Sequence, residues 1–274
     1  MGIITISREF GSRGKEIGRS LAETLCYEYI DRGKIIDEMK AHGSQWGKVA
    51  EEFDHHYPNV WERYDWSFRG YLALTQSIIL NYGLKNRMVL MGGGGNFIFK
   101  DIPYVLRVRV IMPVEARISR IMKEDDFTRG TASWVIEKSD REMADAVYLI
   151  YGRRWDDANE YDMKFDLGIQ KEDEIVKAIL EAFAEKEKLN TEEAQKKLRT
   201  LATAASVKAG IAMNRNFMMI PTLDVKTDGD TVVLHGIVHN PKEKEEIEKE
   251  AKKFAGDAPI AFDLHYRGFL RSII

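Results

Sequence analysis

This 274-residue chain has one cysteine, no long apolar run and no large excess of charge of either sign. The single cysteine, Cys26, cannot form an internal disulfide, and no stretch is apolar over the length that a membrane-spanning helix needs. A net charge of −3 creates no overall field that would attract nucleic acid or an anionic membrane. The first apolar run is too short for a signal peptide. These absences predict a globular cytoplasmic protein with no nucleic-acid partner and no transmembrane segment.

Residues 3–17 organise the sequence, because they place two glycines between two different apolar patterns. The β-branched start of this stretch predicts a strand, and apolar residues at helical spacing from Ile17 onward predict a helix. Gly11 and Gly14 allow backbone conformations in which successive N–H groups point at one anion. The N-terminus of the helix adds partial positive charge, and Lys15 adds a full one. The stretch therefore predicts a phosphate-binding loop.

The loop matches the pattern G-x-x-x-x-G-K-[ST] only in part. Gly14 and Lys15 fit, but Glu9 stands in place of the first glycine, and Glu16 replaces the hydroxyl that binds Mg²⁺. On these residues by themselves, a strand–turn–helix with incidental glycines is an equally good interpretation.

Strand and helix patterns alternate up to residue 186, which predicts a parallel α/β sheet. Asp31 and Arg32 follow the second strand pattern, and the four glycines at residues 92–95 follow the third. The carboxyl ends of parallel strands meet at the edge where open α/β sheets bind ligands. The glycines either let a ligand approach the backbone or allow a sharp turn, and beside a phosphate loop we favour the first.

Two further segments each have two interpretations. Residues 41–66 are polar and aromatic without a regular pattern, so they form either a mobile cover over a substrate or a packed excursion with a small core of its own. Residues 124–160 are rich in arginine, as expected of helices flanking a loop that closes over phosphate, because guanidinium groups bind phosphate oxygens in pairs. Without other signals, such a segment is more often a solvated surface.

Residues 1 to about 186 resemble the cytidylate kinase-like family, relatives of the nucleoside monophosphate kinases. The resemblance lies in Ser-Arg-Glu-Phe-Gly-Ser at residues 7–12 with Gly14, in Tyr-Ile-Asp-Arg at 29–32, in Val-Leu-Met-Gly at 89–92 with Gly94, in the strand and helix at 105–120, and in Trp155 with Tyr-Asp at 161–162. It implies a P-loop kinase-type parallel sheet flanked by helices. It also implies transfer of the γ-phosphoryl group of ATP, with Mg²⁺, to a nucleotide substrate such as CMP or dCMP.

The resemblance implies a role for each of several residues. It assigns ATP binding to loop residues, namely Gly11, Ser12, Arg13, Gly14, Lys15, Glu16 and Ile17. It places the acceptor against residues after the second and third strands, namely Asp31, Arg32, Gly92 and Gly94, and it places Mg²⁺ near Ser7 or Ser12. Basic side chains would act on the transferred group, namely Lys15, Arg117, Arg120, Arg141 and Arg153.

The chain departs from the family pattern at three places. Arg13 stands where the family usually has glycine, and Gly93 stands where it usually has an arginine between two glycines. The pair of arginines expected in the lid is reduced to Arg141, with Lys138 as a substitute. These changes leave the predicted fold intact and bear on activity.

Residues 190–274 are predicted to form a second, small α+β unit in the order helix–strand–strand–helix–strand. The pair Asp228 and Gly229 between two strand patterns predicts a hairpin. The order of elements and the alternating residues 232–238 resemble a BON domain. We therefore predict a P-loop domain at 1–188 and a BON-like domain at 190–274, with a homo-oligomer or ligand contact as its possible role.

Three functions remain open at this point. Gly14, Lys15 and the lid arginines favour a cytidylate-type kinase, whereas Glu16 and Gly93 favour a catalytically weak nucleotide sensor whose BON-like domain reads the nucleotide state or drives assembly. A kinase for another small acceptor would differ only in its acceptor pocket. Fold alone does not establish turnover.

Overall fold

The computed structural model describes residues 1–55 and 65–267 of the chain. Contacts divide these residues into two compact units, one containing residues 1–55 and 85–194 and the other containing 65–84 and 195–267. Within the described ranges, no helix has both the length and the apolar character that crossing a bilayer requires.

The first unit is built on a five-stranded sheet in which all neighbouring strands are parallel, so the predicted parallel α/β sheet is confirmed. The strand order is β2-β3-β1-β4-β5. The chain runs from β1 to β2 at one edge of the sheet and later crosses from β3 to β4 on the other side of β1, so the carboxyl end of β1 lies at the crevice where such sheets bind ligands. The strands are β1 (Ile3–Arg8), β2 (Glu28–Ile30), β3 (Met88–Met91), β4 (Val105–Ile111) and β5 (Met163–Asp166).

Helices cover both faces of this sheet, which explains the uninterrupted apolar run of β3 and the buried β-branched start of β1. Ile17 and Leu21 pack with Ile179 and Phe183 in the core on one face. The first-unit helices are α1 (Gly14–Leu25), α2 (Arg32–Ala41), α3 (Ser44–His55), α5 (Gly95–Ile98), α6 (Val114–Glu124), α7 (Arg129–Tyr151) and α8 (Glu172–Glu187).

Part of the segment interpreted as irregular is helical. Gly43, at a φ of 123°, separates α2 from α3, and Trp46, Ala50 and Phe53 form a buried stripe at helical spacing along α3. The packed interpretation therefore applies to this part, and residues 56–64 of the segment lie outside the described residues. The arginine-rich segment also differs from expectation, because α7 is one continuous helix where a loop between helices was predicted.

The second unit contains a three-stranded sheet in the order β6-β7-β8. β6 pairs antiparallel and β8 parallel with β7, and the hairpin turns at Gly229 with a φ of 54°. The predicted order helix–strand–strand–helix–strand is confirmed, whereas the likeness to a BON domain stays a prediction. The elements are α4 (Trp66–Leu84), α9 (Glu192–Met213, which begins in the first unit), β6 (Asp224–Asp228), β7 (Thr231–Val238), α10 (Pro241–Ala255) and β8 (Ile260–Tyr266).

Helix α4 belongs to this second unit, although in the chain it lies between β2 and β3 of the first. The hydroxyls of Ser77 and Ser206, on α4 and α9, lie 3.2 Å apart, and Asn81 Nδ2 lies 3.3 Å from the Ser206 hydroxyl. The guanidinium of Arg215 lies 5.8 Å from the ring centre of Trp66. A single domain boundary near residue 189 would place α4 in the first unit, whereas its contacts place it in the second.

Ending the chain at residue 188 is expected to produce an aggregating protein. Phe68, Leu74 and Ile79 of α4 are buried, and removing the rest of the unit to which α4 belongs is expected to expose part of this apolar surface to water. Size-exclusion chromatography with light scattering measures this against the full chain.

The control for this truncation is the same shortened chain with residues 66–84 replaced by a glycine–serine linker, which should aggregate less. A monomeric, soluble chain 1–188 that keeps α4 would contradict the assignment of this helix to the second unit.

Candidate functional site

The loop between β1 and α1 has the backbone shape of an anion site. Gly11 and Arg13 are both left-handed, at φ of 75° and 60°, and such residues turn neighbouring N–H groups toward one side. A left-handed arginine costs about 1 kcal/mol that glycine would not. The Arg13 side chain is directed to α8, where Nη1 lies 2.7 Å from Oε1 of Glu172. The loop therefore keeps its shape where the family has glycine.

The N–H groups of this loop are available to a ligand. Glu16 and Ile17 donate to the carbonyl of Arg13 at 3.2 and 3.4 Å. In the described part of the chain, several other loop N–H groups have no acceptor, namely those of Gly11, Arg13, Gly14 and Lys15. The Lys15 side chain is exposed. Together these groups can surround a polyphosphate with donors and one positive charge.

Two serines were candidates for the Mg²⁺ side of the site, and their surroundings differ. The Ser7 hydroxyl accepts a hydrogen bond from Trp155 Nε1 at 2.9 Å and lies 3.3 Å from the Tyr161 hydroxyl. Ser12 is 1% exposed, and its Oγ has no hydrogen-bond partner among the residues described. Buried hydroxyls usually have a partner, so the geometry favours Ser12 as the hydroxyl that meets a ligand.

Ser7 belongs instead to a buried network that holds the chain after α7 against β1. Arg109 donates to the Trp155 carbonyl at 2.9 Å, and its guanidinium lies 4.2 Å from the centre of the Trp155 ring. The Tyr161 hydroxyl donates to the same carbonyl at 2.8 Å. The Trp155 and Tyr161 positions that support the family resemblance are therefore structural.

Glu9 anchors the loop from the position of the missing glycine. Its carboxylate accepts the Met112 N–H at 3.1 Å and lies 3.7 and 3.9 Å from the guanidiniums of Arg117 and Arg109. Its own N–H donates to Val110 at 3.2 Å. Sequence reasoning counted Glu9 in the block that resembles the family and as a departure from the G-x-x-x-x-G-K pattern, but gave it no role of its own. The available signal was the pair Arg109 and Arg117, in β4 and α6, because buried guanidiniums require a carboxylate partner.

Arg117 supports the loop from behind. Its side chain is 7% exposed, and Nη1 lies 2.6 Å from Asp140 Oδ2 and 3.2 Å from the Phe10 carbonyl. Arg120, on the same helix, contacts Glu16 at 2.5 Å and the Gly11 carbonyl at 3.3 Å. Both arginines were predicted to act on phosphate, and the structure places their guanidiniums against protein groups.

Asp140 ties helix α7, which carries the predicted lid residue Arg141, to the loop. Its Oδ1 accepts the Phe10 N–H at 3.3 Å, while Oδ2 pairs with Arg117. Arg141, the next residue, is exposed and has no ion-pair partner within the described ranges. Arg153 lies 3.6 Å from the buried carboxylate of Glu160. Of the predicted lid arginines, Arg141 is thus the one available to a ligand.

The predicted acceptor residues lie at the same edge of the sheet, after β2 and β3. Asp31 caps α2 by accepting the Lys34 N–H at 3.2 Å, and Arg32 donates to the Phe53 carbonyl. Gly92 and its two successors have φ between 63° and 74°. A β-carbon at Gly94 would lie 2.1 Å from the Tyr151 hydroxyl, so this turn requires glycine for both conformation and space.

Farther from the loop, Asp162 completes an ion pair between β4 and β5. Burial raises the pKa of Asp162, but hydrogen bonds from Arg107 outweigh burial and leave the pKa below its usual value. The Arg107 guanidinium donates to both carboxylate oxygens, at 3.0 and 3.2 Å. This ion pair has a structural role, which the resemblance to the family did not indicate.

A central strand that ends in an anion-binding loop, within this strand order, defines the fold of the P-loop kinases. The Cytidylate kinase-like family matches residues 3–169, so the chain belongs to this family. No curated protein matches the chain.

Solved structures share the fold at low identity. An uncharacterized protein from Eubacterium ventriosum is 20% identical with a TM-score of 0.55, covering 67% of this chain and 98% of its own. A gluconokinase from Sinorhizobium meliloti is 14% identical with a TM-score of 0.43, covering 67% and 92%. A shikimate kinase from Acinetobacter baumannii, in complex with shikimate, is 15% identical with a TM-score of 0.39, covering 68% and 94%.

Replacing Asp140 by asparagine is expected to lower the free energy of unfolding by about 1–2 kcal/mol, because the buried Arg117 guanidinium loses one of its two carboxylates. Urea denaturation measures the change. Asp145→Asn, at an exposed position of the same helix, is the matched control and should change stability by less than about 0.5 kcal/mol. Equal effects of the two substitutions would show that the Asp140 contact contributes nothing specific.

Proposed function

We propose that this protein is an ATP-dependent phosphotransferase whose first candidate acceptor is CMP or dCMP. Membership of a kinase-like family implies use of a nucleotide, typically ATP with Mg²⁺. The observation that carries the proposal is the phosphate loop. The N–H groups of Gly11, Arg13, Gly14 and Lys15 and the Lys15 ammonium have no protein partner among the described residues, and the buried Ser12 hydroxyl has none either.

The loop residues suit the phosphates of ATP. The N–H groups of Gly11, Gly14 and Lys15 would bind phosphate oxygens, and the Lys15 ammonium would offset their charge. When bound, Mg²⁺ would supply positive charge that neutralises the charge developing on the phosphate oxygens. No group of three or more metal-ligating side chains occurs within residues 1–55 and 65–267, so Ser12 would be the chain's contribution beside phosphates and water.

The acceptor would lie between the ends of β2 and β3, with Asp31 and Gly94 on its two sides. Arg141 on α7 would neutralise the transferred group, while Asp140 keeps α7 close to the loop and water away from the phosphates. Positioning and charge neutralisation are the main requirements of phosphoryl transfer.

The second candidate function is a catalytically weak nucleotide sensor. Arg117, Arg120 and Arg153 all pair with protein carboxylates, and Gly93 has no side chain, so fewer cations face the phosphates than the family pattern implies. In this case the second unit, predicted to be BON-like, would read the nucleotide state through a ligand or a homo-oligomer contact.

Lys15→Ala is expected to lower kcat about 10²–10³-fold, because it removes the mobile positive charge from the loop. The measurement is diphosphate formation from Mg-ATP with a panel of nucleoside monophosphates. Lys123→Ala, at an exposed position at the end of α6, is the control and should leave kcat unchanged.

This assay, together with a measurement of ATP binding, distinguishes the two candidate functions. Rapid turnover of one acceptor that is lost in Lys15→Ala supports the kinase and identifies its substrate. ATP binding without turnover of any acceptor supports the sensor. Turnover at the normal rate in Lys15→Ala would refute the assignment of the loop.

A further inference from the structure

We propose that Arg8, the last residue of β1, binds the phosphoryl group that passes between ATP and the acceptor. This inference rests on the proposed function and adds a residue that the sequence pattern assigned to no role.

The Arg8 side chain extends from the phosphate loop to the glycine turn after β3. A β-carbon on Gly14 would lie 2.6 Å from Cβ and 3.1 Å from Cγ of Arg8, so the stem of Arg8 lies against the first residue of α1. A β-carbon on Gly92 would lie 2.9 Å from Arg8 Nη1, so the guanidinium reaches the turn. These two glycines stand at the proposed donor and acceptor sides, and Arg8 spans the distance between them.

The turn that the guanidinium reaches has donors of its own. The N–H groups of Gly93 and Gly94 have no acceptor among the residues that the structure describes. Asn96 is 4% exposed, and its Nδ2 has no hydrogen-bond partner in the same residues. A buried donor such as Asn96 Nδ2 normally has a partner, so the turn lacks an acceptor that an anion would supply.

The charge of Arg8 also acts at the end of β2. Burial raises the pKa of the Tyr29 phenol, the Asp31 carboxylate raises it further, and the positive charges of Arg19 and Arg8 lower it. The Arg8 guanidinium is therefore close enough to Tyr29 to affect its ionisation. Its positive charge therefore acts on Tyr29 in β2 as well as on the turn after β3, and the acceptor is proposed to bind between these strand ends.

Arg8 compensates for the residue that the family pattern places at position 93. Glycine there contributes no charge, and Arg117, Arg120 and Arg153 are directed at protein carboxylates. A guanidinium from the neighbouring strand β1 supplies positive charge to the same turn. The missing arginine is thus no argument against phosphoryl transfer.

The step itself needs this charge at its midpoint. An ionised oxygen of the acceptor phosphate forms a bond to the γ-phosphorus, while the bond from that phosphorus to the β–γ bridging oxygen breaks. ADP leaves with the electron pair of the bridging oxygen, and no proton has to move. Negative charge spreads over the three equatorial oxygens, which a planar guanidinium can contact in pairs.

The test compares the affinities of full-length variants for ATP and ADP by calorimetry with Mg²⁺ present. Arg8→Met, which keeps an unbranched stem against Gly14, should weaken ATP binding about tenfold and leave ADP binding within about twofold. It should also lower kcat about 10²–10³-fold, as loss of a transition-state charge does. Arg8→Lys, which keeps the charge and loses the planar fork, should recover part of both effects.

Arg19→Met is the matched control, because Arg19 also lies near Tyr29, with its guanidinium 5.7 Å from the ring centre, but on the exposed side of α1. It should leave the ratio of ATP to ADP affinity unchanged. An equal change of this ratio in the control, or equal losses for ATP and ADP in Arg8→Met, would overturn the inference.

The outcomes separate this inference from the proposed function. If Lys15→Ala abolishes turnover while Arg8→Met retains it at the normal rate, the kinase stands and the role of Arg8 is refuted. If the wild-type chain transfers no phosphoryl group but Arg8→Met still selectively loses ATP, the binding role of Arg8 stands and the kinase is refuted. A wild-type chain that binds neither nucleotide refutes both.

Discussion

The phosphate loop depends on the mutual compensation of the charges of Glu9, Arg117 and Asp140. A charged side chain in a protein interior costs several kcal/mol unless a partner and hydrogen bonds replace its water. Arg117 meets this condition only because the loop supplies one carboxylate and α7 supplies the other. The same contacts hold the loop, α6 and α7 together. The shape of the anion site therefore depends on the contacts that give the buried Arg117 guanidinium its carboxylate partners.

This constraint separates the arginines into two groups. Those on α6 and after α7 are bound to carboxylates of the protein, and they stiffen the frame around the loop. Arg141 and Lys15 lie at the surface, where a phosphate can meet them. Basic residues that look equivalent in the sequence therefore differ in their capacity to bind a ligand, because a guanidinium already engaged with carboxylates has fewer donors for a ligand.

The second unit is not a simple C-terminal addition to the kinase fold. Helix α4 belongs to it by contact but is joined in the chain to β3, directly before the glycine turn. Several of its apolar side chains are buried, so loss of the rest of that unit is expected to expose part of them. The stability of the segment between β2 and β3, which contains α4, therefore depends on the second unit.

Local patterns in the sequence determined most elements of this protein. The apolar runs of β1 and β3, the glycines with Lys15 and the hairpin at Gly229 were all predictable, because strand, loop and turn signals extend over a few residues. Only the tertiary structure decided that Ser12 and not Ser7 is unpartnered, that Arg117 is bound to Asp140, and that α4 packs in the second unit. These outcomes depend on residues far apart in the chain, such as Ser7 and Trp155, and hydrophobic periodicity carries no information about which distant groups meet.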